Sequence, residues 1–204
     1  FSTTLTLAIN NATLFNISVI AATGNSGSGV PRNTTHISSP ACISNVTSVS
    51  ATNKDDSVSS YGHYNNITDF FAPGTNINST YNDNIYTILS GTSMSTPHVS
   101  AAFILIRQFA RLQNNTILRP FQIEQSLKEN GVNITVLNGH NISRINIYKT
   151  IISLDSTKPT VNLSSPSDNS VSPLANRTFT CNATDLSLGN VTFFLYNSSS
   201  SVIN

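Results

Sequence analysis

The stretch Gly91-Thr92-Ser93-Met94-Ser95-Thr96-Pro97-His98 decides how the rest of the chain is read. It sets a serine between a glycine and the first turn of a helix. The continuation, Val99, Ala101, Ala102, Phe103, Ile104, Leu105 and Ile106, is apolar nearly all round. Such a run predicts a helix buried inside a larger body rather than lying on its surface. A helix start presents free backbone N–H groups and a partial positive charge, so an anion forming beside Ser93 is stabilised there. That setting suits acyl transfer.

A serine nucleophile also needs a donor aimed at the oxyanion, and Ala21-Ala22-Thr23-Gly24-Asn25-Ser26-Gly27 can supply one. This segment closes a short apolar, β-branched run (Ile17, Val19, Ile20) that predicts a strand. Its glycines let backbone come close to a ligand. The Asn25 carboxamide is a neutral donor with no charge to titrate.

Taken together, an Ala-Ala-x-Gly-Asn-x-Gly strand end and a later Gly-Thr-Ser-Met-x-Thr-Pro-His helix start resemble the subtilisin-like serine proteases, the subtilases. Lesser pieces fall in the same order: Pro40-Ala41-Cys42 leading through Asn45-Val46 and Val49-Ser50-Ala51 into a central strand, Phe71-Ala72-Pro73-Gly74, and Arg144-Ile145-Asn146-Ile147-Tyr148-Lys149 ahead of a final helix. The resemblance covers roughly residues 1 to 153. Ser95 and Ser100 depart from it, standing where the family usually has small apolar residues. The nucleophile elbow of the α/β-hydrolases, Gly-x-Ser-x-Gly, is not spelled around Ser93.

The resemblance implies an α/β fold of three layers, a mostly parallel sheet flanked by helices. It makes Ser93 the nucleophile, and the Asn25 side chain with the Ser93 backbone N–H the oxyanion hole. Ala21, Ala22, Thr23 and Gly24 would form one wall of the pocket for the substrate residue before the scissile bond. No cofactor is required. Structural calcium is common in the family, yet no carboxylate cage can be placed among nine acidic residues. Subtilases carry their triad in the order Asp, His, Ser, with both earlier members upstream of the strand that ends here at Asn25. None of His36, His63, His98 and His140 has the family's general-base setting. His98, five residues past Ser93, is rotated about 140° from it on a helix and is a structural member of the motif. Residues 1–204 are therefore expected to belong to a longer protease, whose N-terminal half is a needed partner, and to be inactive alone. The competing reading is a non-catalytic cell-surface glycoprotein using the same scaffold.

Only 9% of residues are Asp, Glu, Lys or Arg, with a formal net charge of +1, which gives no electrostatic footprint for nucleic acid. No apolar run is long enough to span a membrane. No partner follows from charge; a polypeptide substrate is what the resemblance implies. The acceptor pattern Asn-x-Ser/Thr occurs fourteen times, among them Asn11, Asn16, Asn33, Asn45, Asn66, Asn78, Asn182, Asn190 and Asn197. That number favours a glycosylated extracellular or cell-surface protein, the alternative being a composition that simply prefers Asn, Ser and Thr. Asn45 is expected to be buried in a strand and unmodified.

The pattern predicts a helix over Thr3 to Leu14, capped by Ser2, with Leu5, Ala8, Ile9 and Ala12 inward. Strands are predicted over 17–22, 46–51 and 67–71, a hairpin from 77–79 and 86–89 about Tyr81-Asn82-Asp83-Asn84, and a helix over 120–130 with Pro120 at its start and Gly131 past its end. After Asp155-Ser-Thr-Lys-Pro-Thr helix signals vanish. Val161 and Leu163, then Phe179, Cys181 and Ala183, then Val191, Phe193 and Leu195 alternate with polar residues. Two domains follow: residues 1–154, a partial subtilisin-like peptidase domain, and 155–204, which resembles the opening of an immunoglobulin-like β-sandwich module. Cys42 suits a free core thiol, with a Cys42–Cys181 bridge the alternative, and the immunoglobulin-like resemblance implies that Cys181 is half of a disulfide whose partner would be downstream.

Overall fold

The computed structural model describes residues 3–27, 32–137, 139–165, 178, 180–186 and 192. It divides into two compact units, residues 1–154 and 155–204.

The first unit is built on five strands in the order β1-β2-β3-β7-β6. These are β1 (Ile20–Ala22), β2 (Thr47–Thr52), β3 (Phe70–Pro73), β6 (Val132–Thr135) and β7 (Asn141–Arg144). The first three and β7 run parallel, and β6 pairs antiparallel as an edge. Alternation along the strands sends side chains to two faces. On one face Val49, Phe70 and Ala72 pack with Val99, Phe103 and Ile106 of α2 (Thr92–Asn114) and with Ile123 and Leu127 of α3 (Pro120–Asn130). Ile147 and Ile151 of α4 (Ile147–Leu154) close that layer. On the other face Ala21 meets Ile9 of α1 (Thr3–Leu14), while Phe71 meets Tyr64, Val136 and Ile142. The expected layered α/β body, mostly parallel and flanked by helices, is what forms.

Local departures have physical causes. α1 spans the predicted residues, but of its predicted face only Ile9 is buried; Leu5 and Ala8 are exposed, because one helix side touches a cluster too small to cover more. Ser2 lies outside the described residues. The strand expected over 67–71 begins at Phe70, because Asn65 and Thr68 fold into a turn. The Thr68 hydroxyl accepts from Asn65 N–H, and Ile67 N–H donates to Asn65 Oδ1. Asn45, expected inside a strand, is exposed just ahead of β2, and burial begins at Val46 and continues through the whole of β2. β6 and β7 carry no prediction; Ile134 and Ile142 point inward with Val136, while Asn133, Thr135 and Asn141 are exposed. The predicted hairpin is present as β4 (Ile77–Thr80) and β5 (Tyr86–Leu89), with Asp83 and Asn84 in the left-handed conformation at its turn. α2 is not buried all round: Ala102, Phe103 and Ile106 are covered, whereas Ile104 is 66% exposed and Leu105 46%. One sheet face covers one side of a helix.

In the second unit β8 (Thr160–Ser165) pairs antiparallel with β9 (Thr180–Thr184), Leu163 opposite Cys181. The strand expected about Val191, Phe193 and Leu195 lies outside the described residues, as does Phe179. Cys181 is exposed and free, and Cys42 is a half-buried free thiol beside the Ile9 cluster.

Candidate active site

Parallel strands collect their C-terminal ends, and the helices that follow them, at one end of the sheet. Asn25 lies three residues past β1, Gly74 directly after β3, and Ser93 in the first turn of α2. Gly91 N–H donates to Gly74 O at 2.9 Å, seating the start of α2 against the end of β3. A side chain at Gly74 would overlap Ser95 Oγ and crowd Ala51 Cβ and Gly91 O, so glycine is required for this approach. Ser95 is fully buried, and its hydroxyl donates to Ala72 O at 2.9 Å. The departure seen at this position in sequence is thus a satisfied buried hydroxyl. Ser100 is satisfied likewise, donating to Thr96 O at 3.2 Å.

Asn25 and Ser93, 68 residues apart in sequence, come together through Thr92. Thr92 N–H donates to Asn25 Oδ1 at 2.9 Å, and Gly24 N–H donates to Thr92 Oγ1 at 3.3 Å. The point a side chain would occupy on Gly91 lies 3.6 Å from Asn25 Nδ2 and 3.7 Å from Ser93 N. Two N–H donors therefore border one space. Asn25 and Ser93 are exposed, while Thr92 beneath them is fully buried. Pro97 has no N–H, so Ser93 C=O lacks its usual intrahelical partner. Sequence reading missed Thr92, because the part it plays depends on a backbone amide rather than on a recognisable side chain.

The wall residues divide. Ala21 is buried toward Ile9, and Thr23 is fully buried, its hydroxyl donating to His63 O at 2.6 Å. Ala22 and Gly24 are half-buried. Gly24 has φ of 102° and no room for a side chain beside Ser38. The next turn is held by Ser26, which shares a 3.0 Å hydrogen bond with His63 Nε2. Partial burial lowers the His63 pKa from its ordinary value. His98 Nδ1 bonds Met94 O at 2.8 Å, one turn back along α2, and so is tied to the helix as expected of a structural residue. None of the four imidazoles is hydrogen-bonded to Ser93 among the described residues. Nor, among these, is any group of three or more His, Cys, Asp or Glu placed to hold a metal.

The body is thus a mostly parallel α/β sheet with a serine at a helix start and a carboxamide clamped beside it at a strand end. A family model described as Peptidase_S8, the subtilase family, matches residues 2–146, and the chain belongs to that family. It is 43% identical over 107 residues to subtilisin Savinase of Lederbergia lenta, covering 52% of this chain and 38% of that protein. It is 40% identical over 112 residues to the minor extracellular protease Epr of Bacillus subtilis, covering 55% of this chain and 17% of Epr. The chain thus spans well under half the length of these curated relatives. The solved structure of the prenylagaramide maturation protease PagA superposes with a TM-score of 0.66 at 22% identity, covering 78% of this chain and 57% of that one. That likeness shows the fold.

Proposed function

We propose that the chain is the nucleophile-bearing part of a subtilisin-type serine endopeptidase acting on polypeptides outside the cell. The supporting observation is the Thr92 N–H to Asn25 Oδ1 bond, which turns Asn25 Nδ2 toward the space that Ser93 N–H also borders. A substrate carbonyl oxygen placed there meets two donors as it becomes an oxyanion. Ser93 Oγ attacks the carbonyl carbon, its proton passing to a general base, and the acyl-enzyme forms as the amine leaves with that proton; water then releases the acid. The base and the carboxylate that orients it belong to an upstream part of the same protein, so residues 1–204 alone do not hydrolyse peptides. Ala22 and Gly24 supply the accessible part of the pocket wall. The likeness to Epr, an extracellular protease, supports the location. The acceptor sites support a glycoprotein, and the alternation in residues 155–204 supports an appended immunoglobulin-like module.

A fluorophosphonate probe tests this. The whole protein is expected to label stoichiometrically at Ser93 and to lose labelling in Ser93→Ala, whereas residues 1–204 stay unlabelled. A whole protein that folds but refuses the probe would overturn the enzyme reading in favour of the scaffold.

A further inference from the structure

We propose that Asn66, Asn133 and Asn141 carry N-linked oligosaccharides, gathered at the end of the sheet away from Ser93. Each opens an acceptor triplet: Asn66-Ile-Thr, Asn133-Ile-Thr and Asn141-Ile-Ser. All three side chains are exposed, and together with Asp69 and Lys128 they line one polar depression of about 310 Å³. Sequence separation alone, from 66 to 141, gives no hint of this convergence.

The topology explains it. Asn66 precedes β3 and Asn141 opens β7, and these strands run parallel, so both residues stand at the strand-start end. Asn133 lies opposite Ser143, and Thr135 opposite Asn141, which puts Asn133 and Asn141 on the same face of the β6–β7 pair. Asn25 and Ser93 stand at the strand-finish end, so sugars on the three asparagines leave the proposed cleft clear.

The carboxamides differ in how committed they are. Thr135 Oγ1 donates to Asn141 Oδ1 at 2.8 Å, and no nitrogen of the three carboxamides donates to a described residue. Asn114, by contrast, donates its amide to Leu154 O at 2.9 Å, and Asn45 donates to Asn10 Oδ1 at 2.8 Å. In the transfer the asparagine Nδ2 bonds to C1 of the sugar as the C1–O bond to a lipid pyrophosphate donor breaks. The lipid pyrophosphate leaves with the electron pair, and one amide proton passes to a base of the transferase. Thr68 and Ser143, whose hydroxyls complete two of the triplets, are 7% and 6% exposed, so these sites are read before the region folds. Once folded, a sugar on Asn133 stands on the outermost strand. There it blocks the open edge against pairing with another chain.

Glycopeptide mass spectrometry of the folded, natively produced protein tests this. Oligosaccharide mass is expected on Asn66, Asn133 and Asn141 at several-fold higher occupancy than on Asn114. Bare asparagine at two of the three, or equal occupancy at Asn114, would overturn the proposal. Thr135→Ala, an exposed change that leaves every asparagine in place, should strip Asn133 alone; sugar persisting there is equally fatal. Neither readout involves Ser93, so failure here is separable from failure of the protease reading.

Discussion

A carboxamide has one accepting and one donating end, and a backbone N–H can satisfy only the first. The 2.9 Å bond from Thr92 N–H therefore fixes which way Asn25 faces, and leaves Nδ2 free for a ligand. Asn25→Leu removes that donor at nearly constant volume. Asn25→Asp keeps the acceptor for Thr92 but puts a negative charge where an oxyanion would form. In the whole protein both should lower kcat by about 10²–10³, the loss known for subtilisin's own oxyanion donor and taken over from it, with little change in KM. A raised KM at constant kcat would instead assign Asn25 to ground-state binding. His63 makes a second prediction possible. Burial lowers its pKa, so the folded state binds a proton less readily than the unfolded chain. Stability is then highest above the unfolded value near 6.5, and declines as pH falls from there through the lowered folded value. Urea midpoints at pH 7.5 and pH 5, for the protein and for His63→Gln, should differ by a smaller amount in the variant. Equal differences would mean that His63 titrates alike in both states.

α2 shows how an element divides between what the pattern announces and what packing decides. Ile106 is fully buried against β2 and β3, and Ile106→Ala should cost about 2–5 kcal/mol, read from urea unfolding. The helix start was legible because Gly91 and the apolar run bracket it, and α3 was legible from Pro120 and Gly131. The sidedness of α2 was not, since a run apolar on every side carries no information about which side meets a sheet. β6 was invisible for the opposite reason: Val132-Asn133-Ile134-Thr135 has too few apolar residues for periodicity to register, and only its pairing with β7 makes it a strand. The hairpin about Asp83 and Asn84 was readable, because Asn and Asp tolerate the left-handed conformation its turn needs. Asn45 was misjudged by placing the strand two residues early, where exposure changes abruptly from Asn45 to Val46. The Ser93–Asn25 pairing could be anticipated from two motifs. The Thr92 clamp between them could not, because it joins atoms 67 residues apart through a main-chain amide.

The exposed flank of α2 ties these elements to the whole protein. Ile104, 66% exposed, lines a cleft of about 910 Å³ that runs between α2 and the start of β1, with Ile17, Phe103 and Arg107 also in its walls. β1 is also an edge strand, so its outer N–H and C=O groups are open on the same side of the body. An apolar helix side next to an open parallel edge is the surface a further layer of the same domain would cover, and the proposed upstream portion is the natural source of that layer. Ile104→Ala distinguishes the two situations. In residues 1–204 alone the side chain stands mostly in water, and its loss should change stability by less than about 0.5 kcal/mol. In the whole protein a covered Ile104 should cost about 2–5 kcal/mol, comparable to Ile106→Ala in either form. Urea unfolding of both lengths provides the comparison, with Ile106→Ala as the internal standard. A cost near zero at Ile104 in both would leave this flank in solvent.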